Sequence, residues 1–225
     1  MIPAKLRYEV RRMFENTGTE DFSRGRRTGA LNIAALPTMA HNDRLFKRRH
    51  EVAGVDSAVV IVIDVSGSMF GHNDTPVQKY NILHAVHTAA ALLDTLHHAG
   101  VATAVITFAS NVSMLKPFDL HYRKAFPLLE SLKSGGGTND CEALQQAHRL
   151  LYGRPEARKV AFVLTDGCGD GDATHDQALS GARLGVTTIG VGIKHDVSHV
   201  YPNSVTVNSL ADLGGVAFNK LKLAA

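Results

Sequence analysis

The pattern of hydrophobic and polar positions changes character at residue 56. Residues 1–50 show no sustained period: residues 5–15 suit a short helix, Asn16 to Gly29 reads as a polar, glycine-bearing loop, and Gly29 to Leu36 as a second short element. Too few apolar residues stand there for a separate core, which predicts an arm over residues 1–55 and one larger domain over 56–225. The run Ser57-Ala-Val-Val-Ile-Val-Ile-Asp64 predicts a strand buried on both faces. A long amphipathic helix follows from about Val77 to His98, with Ile82, Leu83, Val86, Ala89, Ala90, Leu93 and Leu96 on one half, and Gly100 stops it. Val101 to Ala109 reads as a strand, Val112 to Lys116 as a short antiparallel edge, and Arg123 to Lys133 as helical. The next helix carries Ala143, Leu144, Ala147, Leu150 and Leu151 on one face. Lys159 to Thr165 and Val186 to Val191 are strands around a helix from Thr174 to Leu184. Val205 to Val207 is a last short strand, and Ser209 caps a helix running to about Leu221. Strands alternating with helices of this length predict an α/β fold: a three-layer α/β/α sandwich with a mainly parallel, Rossmann-like central sheet behind a basic arm.

Composition narrows the class. With 44% hydrophobic and 20% charged residues over 225 positions, the chain is globular in type. No apolar run approaches the ~18 residues that cross a bilayer, so no membrane span is expected. The first residues hold no apolar stretch of the kind that directs export, and Cys141 and Cys168 make no disulfide framework; a reduced, cytoplasmic setting is the expectation. The net charge of +3 is uneven: residues 1–50 hold 11 Lys and Arg against 5 Asp and Glu, and residues 51–225 hold 13 against 16. Arg11-Arg12, Arg24 to Arg27 and Lys47-Arg48-Arg49 supply most of the excess. Such clusters can neutralise phosphates. No nucleic-acid motif accompanies them, so a solvated arm that docks on the acidic domain or on a partner is expected instead.

Sites on an open parallel sheet form at the carboxyl ends of its strands. Three polar loops fall at that edge: Asp64-Val-Ser66-Gly-Ser68-Met69, Gly135-Gly-Gly-Thr138-Asn139-Asp140 and Thr165-Asp166-Gly167. In the first, a carboxylate and two hydroxyls alternate around Gly67 and can converge on one point. Hard oxygens of this kind suit Mg²⁺ or Mn²⁺, where zinc would draw on Cys and His. A site with few carboxylates leaves such an ion electrophilic and able to accept an acidic ligand from another molecule.

Asp64-x-Ser66-x-Ser68, with Thr138 and Asp166 on later loops, resembles the metal-ion-dependent adhesion site of von Willebrand factor A domains over about residues 56–223. The resemblance implies that Ser66, Ser68 and Thr138 coordinate the ion directly while Asp64 and Asp166 act largely through bound waters. A second likeness reaches into the arm. Arg24-Gly-Arg-Arg-Thr-Gly-Ala-Leu-Asn, Leu45-Phe46-Lys-Arg-Arg, the stretch from Arg158 to Gly167 and Tyr201-Pro202-Asn-Ser-Val205 look similar to the C-terminal part of the T subunit of aerobic cobaltochelatase. In that family the A-domain subunit joins an AAA+ ATPase subunit related to the MoxR group, and together they drive cobalt insertion into a corrin precursor by a separate large subunit. The resemblance implies an adaptor, not catalytic by itself, that docks such an ATPase (MoxR or chelatase S-subunit type) through an ion-bridged Asp or Glu of the partner. A full T subunit is expected to carry a longer N-terminal region with an acidic stretch, outside this sequence. The alternatives are an adaptor for remodelling a protein client and a metal-dependent adhesion or ligand-binding module.

Other motifs carry rival readings. His84, His87 and His98 lie with Asp94 in an arc of roughly 80° on the long helix. His84 and His87 are spaced to share a transition metal, but the arc opposes the apolar face and also reads as solvated surface. Gly169-Asp170-Gly171-Asp172 with Asp176 lacks the oxygen spacing of a calcium loop and reads as a turn. Ser134 to Gly137 lacks the Gly-Lys-Ser/Thr of a P-loop. Neither Ser66 nor Ser68 lies in Gly-x-Ser-x-Gly, and nothing positions His72 as a base, so hydrolysis is not expected. Cys168, beside Asp166, reads as an idle thiol more than a redox tuner of the site.

Overall fold

The computed structural model of the protein describes residues 19–26, 30–31, 46–52, 56–70, 81–133, 136–167, 169 and 171–208. The chain divides into two compact units, one within residues 15–56 and one running from Ser57. In the first, β1 (Thr19–Arg26), β2 (Ala30–Leu31) and β3 (Phe46–Val52) form an antiparallel sheet of order β1-β3-β2. This corrects the loop expected over Asn16 to Gly29. The sequence Thr-Glu-Asp-Phe-Ser-Arg-Gly-Arg of β1 has no alternation of apolar and polar positions, so periodicity is silent there. Its backbone nevertheless pairs with β3, Phe22 opposite Arg49 and Asp21 opposite His50. The helix expected over residues 5–15 lies outside the described residues.

The second unit is built on six strands: β4 (Ser57–Asp64), β5 (Ala102–Phe108), β6 (Val112–Lys116), β7 (Arg158–Thr165), β8 (Val186–Ile193) and β9 (Ser204–Val207). Their order is β6-β5-β4-β7-β8-β9, parallel throughout except for the antiparallel β5–β6 pair. All eight residues of β4 are buried, as a β-branched run inside a covered parallel sheet should be. Alternate residues face opposite layers. Ala58, Val60 and Val62 share one core with Ala104 and Ile106 of β5, Ala161 and Val163 of β7, and the helices α3 (Asp140–Tyr152) and α4 (Gly171–Arg183). Their contribution is Ala143, Leu144, Ala147, Leu151 and Ala178. The opposite layer holds α1 (Asn81–His98) and α2 (Ala125–Glu130), the latter entered through a 3₁₀ turn at Tyr122–Lys124. The fold is the three-layer α/β/α sandwich that the alternation predicts.

Helix α1 departs from the sequence pattern. Ile82, Ala89, Leu93 and Leu96 are buried as expected, but so are Ala85, Thr88, Leu92 and Thr95. Leu83, Val86 and Ala90 are half-buried and line a groove with Phe70, Phe126 and Leu129. The buried face therefore includes two threonines, which a hydropathy pattern assigns to the outside. Thr95 is tolerated there because its hydroxyl donates back to the Ala91 carbonyl at 2.7 Å. Helix α2 stops before Lys133: the Ser131 amide bonds the Pro127 carbonyl at 3.2 Å and its hydroxyl donates to the Leu128 carbonyl at 2.9 Å. Helix α4 begins three residues before the expected Thr174, taking Gly171 and Asp172 of the presumed turn into its first turn, where a carboxylate is favoured. The helix expected from Ser209 to Leu221 lies outside the described residues. No described helix is long and apolar enough to cross a membrane.

Candidate metal centre

The chain leaves β4 for β5 and β6 on one side and returns to β7 on the other, so the strand order reverses between β4 and β7. Ligand sites of open α/β sheets sit at such a reversal, outside the carboxyl ends. The register sets Ile63 beside Leu164, which brings Asp64 and Thr165 side by side at those ends. Asp64 and Thr165 are each 1% exposed. The Thr165 hydroxyl donates to Asp64 Oδ2 at 2.6 Å and also lies 2.7 Å from the Gly167 carbonyl. The Ser66 amide donates to Asp64 Oδ1 at 2.8 Å, folding the first loop back over its own carboxylate. Burial pushes the Asp64 carboxyl upward from its ordinary pKa; the bonds from Ser66 and Thr165 oppose the rise and the nearby Asp166 charge adds to it.

From this buried anchor the other oxygens run outward. Ser66 Oγ lies 3.1 Å from Ser68 Oγ, and Ser68 Oγ donates to Asp166 Oδ1 at 2.9 Å. The other Asp166 oxygen accepts from Asn81 Nδ2 at 2.8 Å, tying the third loop to the first turn of α1. Four of the five expected residues, Asp64, Ser66, Ser68 and Asp166, therefore stand in one connected cluster. Thr138 is half-buried on the second loop and makes no hydrogen bond to the other four. That loop is fastened to the site from three directions. The Gly67 amide donates to the Gly136 carbonyl at 3.0 Å, and the Gly137 amide to Ser110 Oγ at 2.9 Å. The Gly169 amide donates to Asp140 Oδ2 at 3.2 Å. Gly169 passes so close that a Cβ there would stand 2.2 Å from the Thr138 carbonyl oxygen. The second and third loops thus touch backbone to backbone beside Thr138.

Two carboxylates and three hydroxyls are all hard oxygen donors, a set chemically suited to a divalent cation such as Mg²⁺ or Mn²⁺. Each carboxylate oxygen of Asp64 and Asp166 carries one hydrogen bond and retains lone-pair capacity. No histidine nitrogen bonds the Ser66 or Ser68 hydroxyl among the described residues, so neither serine has an activating base there.

Sequence reasoning missed Asn81, Thr165 as a ligand of Asp64, Ser110 and Asp140. Asp140 is 2% exposed and accepts from the amides of Cys141 at 3.1 Å and Gly169 at 3.2 Å. Threonine at a strand's last residue and an aspartate that opens a helix are signals for Thr165 and Asp140; Asn81 and Ser110 carry none in the chain itself. On the histidine arc, His84 is half-buried, His87 exposed, and His98 Nδ1 lies 2.6 Å from the Asp94 carbonyl. Among the described residues no three His, Cys, Asp or Glu side chains are grouped to hold a metal ion. Cys168 and His72 lie outside the described residues.

Comparison with known proteins agrees with the fold. Residues 59–168 match the model of the von Willebrand factor type A domain, and residues 122–224 that of the cobalamin biosynthesis protein CobT VWA domain. The E3 ubiquitin-protein ligase WAV3 of Arabidopsis thaliana is 29% identical over 170 residues, covering 73% of this chain and 22% of its own. A sushi, von Willebrand factor type A, EGF and pentraxin domain-containing protein of Mus musculus is 27% identical over 184 residues, 73% of this chain and 5% of its own. The chain thus spans a minor part of the curated relatives it matches. Among solved structures, BatB of Bacteroides thetaiotaomicron superposes with a TM-score of 0.62 at 19% identity over 75% of this chain and 97% of that one. Proximal thread matrix protein 1 of the mussel byssus, solved with zinc in its metal-ion-dependent adhesion site, gives a TM-score of 0.59 at 17% identity over 91% and 48%. These structural likenesses speak for the fold alone. The two models that match, together running from residue 59 to residue 224, both describe von Willebrand factor type A domains, and the six-stranded unit has the fold of such domains.

Proposed function

We propose that this chain is a Mg²⁺-dependent protein-binding adaptor that docks an AAA+ ATPase of the MoxR or chelatase S-subunit type, as a cobaltochelatase T-subunit-like component. The observation that carries the reading is the cluster of Asp64, Ser66, Ser68 and Asp166 at the strand reversal, with the Thr138 loop fastened beside it. Asp64, Ser66, Ser68, Thr138 and Asp166 would hold the ion, Mg²⁺ or alternatively Mn²⁺. A bound divalent cation supplies positive charge and a coordination position for an Asp or Glu of the partner. Asp64, buried and doubly hydrogen-bonded, fixes the loop; Ser68 and Asp166, nearer the surface, face the partner. The match of residues 122–224 to the CobT VWA model favours a chelatase complex, with a large chelatase subunit as third component and a cytoplasmic setting.

The test is recovery of partners from native lysate by the tagged chain, with Mg²⁺ and with EDTA, beside Asp64→Ala. An AAA+ ATPase retained only with Mg²⁺ and intact Asp64 is the expected result. Co-recovery of a large chelatase subunit identifies cobalt insertion as the task, whereas a protein client in its place identifies remodelling. Recovery indifferent to EDTA and to the substitution overturns the adaptor reading.

A further inference from the structure

We propose that Asn81 is a positioning residue of the metal centre: its side-chain amide fixes the Asp166 carboxylate so that it meets the ion through a single oxygen, and this sets the choice of Mg²⁺ over Ca²⁺. The inference rests on the metal-binding reading above and extends it to how the centre selects its ion.

The Asp166 carboxylate stands between two donors from different elements. Ser68 Oγ of the first loop donates to Oδ1 at 2.9 Å, and Asn81 Nδ2 donates to Oδ2 at 2.8 Å. A donor on each oxygen fixes the plane of the carboxylate. The two donors are unequal. Ser68 is exposed on a loop, is itself an expected ligand of the ion, and also lies 3.1 Å from the Ser66 hydroxyl. Asn81 opens α1, which is anchored immediately behind it by the buried Ile82 and Ala85. A group carried on a packed helix holds its place better than one on a loop. The orientation of Asp166 therefore depends chiefly on Asn81.

The chemistry of the donor matters as much as its position. A lysine or arginine could hold Asp166 equally well, but its charge would oppose that of the ion. A neutral amide orients the carboxylate and leaves its negative charge for the ion. Among the described residues no Lys, Arg or His side chain pairs with Asp166. Asp64 is held in the same way, by the Ser66 amide on Oδ1 and the Thr165 hydroxyl on Oδ2. Asp64 is 1% exposed and locked by its strand, whereas Asp166 is half-buried and has room to turn. Of the two carboxylates, Asp166 is thus the one whose presentation a single side chain decides.

That presentation discriminates between ions. Ca²⁺ has a large, flexible shell and readily takes a carboxylate through both oxygens, while Mg²⁺ keeps a near-octahedral shell filled out with water. To turn both oxygens toward an ion, Asp166 would have to give up its bond from Asn81. The bond therefore opposes the Ca²⁺ arrangement and leaves the Mg²⁺ arrangement intact.

Calorimetric titration of the full chain with Mg²⁺ and with Ca²⁺ tests this on the wild type, Asn81→Leu, Asn81→Ala and Asn81→Gln. The wild type should bind Mg²⁺ more tightly than Ca²⁺. Removing a group that orients a metal ligand weakens metal binding about 10–100-fold. Asn81→Leu and Asn81→Ala should each lose at least about tenfold in Mg²⁺ affinity and keep or gain Ca²⁺ affinity, because the released carboxylate can offer its second oxygen. Asn81→Gln, which keeps an amide, should recover part of the preference for Mg²⁺. An unchanged ratio of the two affinities in both truncations, equal loss of both ions included, overturns the role of Asn81. A wild type that binds Ca²⁺ as tightly as Mg²⁺ overturns it too, and leaves the metal centre standing. Binding of neither ion by the wild type overturns the metal centre and this inference with it.

Discussion

The hydroxyl of Thr165 offers a sharp test of how the centre is assembled. Thr165→Val preserves shape and burial, so the packing around β7 is left intact and the lost group is the donor to Asp64 Oδ2 at 2.6 Å. Both residues are 1% exposed, and water does not replace the donor without a local opening. Removing one partner of a buried hydrogen bond to a charged group costs about 1.5–3 kcal/mol. With an m-value of about 2 kcal/mol/M for urea, a loss of about 2 kcal/mol moves the unfolding midpoint by about 1 M. The measurement is urea unfolding in EDTA, followed by circular dichroism, on the wild type and on Thr165→Val. The same substitution should weaken Mg²⁺ binding by calorimetry, because the Asp64 carboxylate loses one of the two bonds that orient it. A midpoint shifted by less than about 0.25 M would show that Asp64 is held by other groups and would refute the reasoning.

Two further outcomes follow from contacts already described. Gly169→Ala places a Cβ 2.2 Å from the Thr138 carbonyl oxygen and 3.1 Å from Asp140 Oδ1, so the second and third loops must part. Mg²⁺ affinity should fall at least about tenfold, roughly 1.4 kcal/mol, while the melting temperature changes little; calorimetry and a thermal melt check both, and unchanged affinity contradicts the loop contact. His148 is 2% exposed between Thr188 Oγ1 at 3.0 Å and Gln177 Nε2 at 3.1 Å, and burial lowers its pKa below the ordinary 6.5. The unfolded chain then takes the proton first, so the stability His148 contributes is complete above about pH 6.5 and is lost as pH falls from there toward the folded value. Urea midpoints between pH 7.5 and 5 should fall less steeply in His148→Gln than in the wild type; equal slopes contradict the assignment.

How much of this was legible in the chain varies with the physical source of each feature. Strand β4 was read to the residue because a run buried on both faces has no other use for six consecutive apolar positions between Ser57 and Asp64. The Asp64-x-Ser66-x-Ser68 loop was legible because alternation around Gly67 leaves the three side chains on one side of a bend. Strand β1 was not, since its sequence has no alternation of apolar and polar positions and its pairing with β3 is one that no single-strand pattern reports. Asn81 and Ser110 were missed for a related reason: each is an ordinary polar residue at an element's end, and its role exists only because the sheet order brings that end beside Asp166 or Gly137. The inward turn of Thr88 and Thr95 on α1 belongs to the same class, a consequence of what the helix packs on.

The two carboxylates of the centre are the same residue type in unlike surroundings, and amide substitution should separate them. Asp64 is 1% exposed and Asp166 half-buried. Burial raises the Asp64 pKa above its unfolded value, so by linkage its ionised form lowers stability as pH rises through that interval, and at neutral pH the charge is a net cost to the fold in EDTA. Asp64→Asn removes the charge and keeps the shape. Its amide oxygen accepts from the Ser66 amide as before. The amide nitrogen meets the Thr165 hydroxyl, which turns its proton to the Gly167 carbonyl 2.7 Å away and accepts in its place. The variant should therefore unfold in EDTA at an equal or higher urea concentration than the wild type, while calorimetry finds its Mg²⁺ binding lost. Asp166→Asn, with Ser68 and Asn81 as its partners nearer the surface, should weaken Mg²⁺ binding with little change of stability in either direction. A destabilisation of more than about 1 kcal/mol in Asp64→Asn would mean that the carboxylate is kept for the fold and not for the ion, since an interaction retained against its own cost in stability is the mark of a functional group.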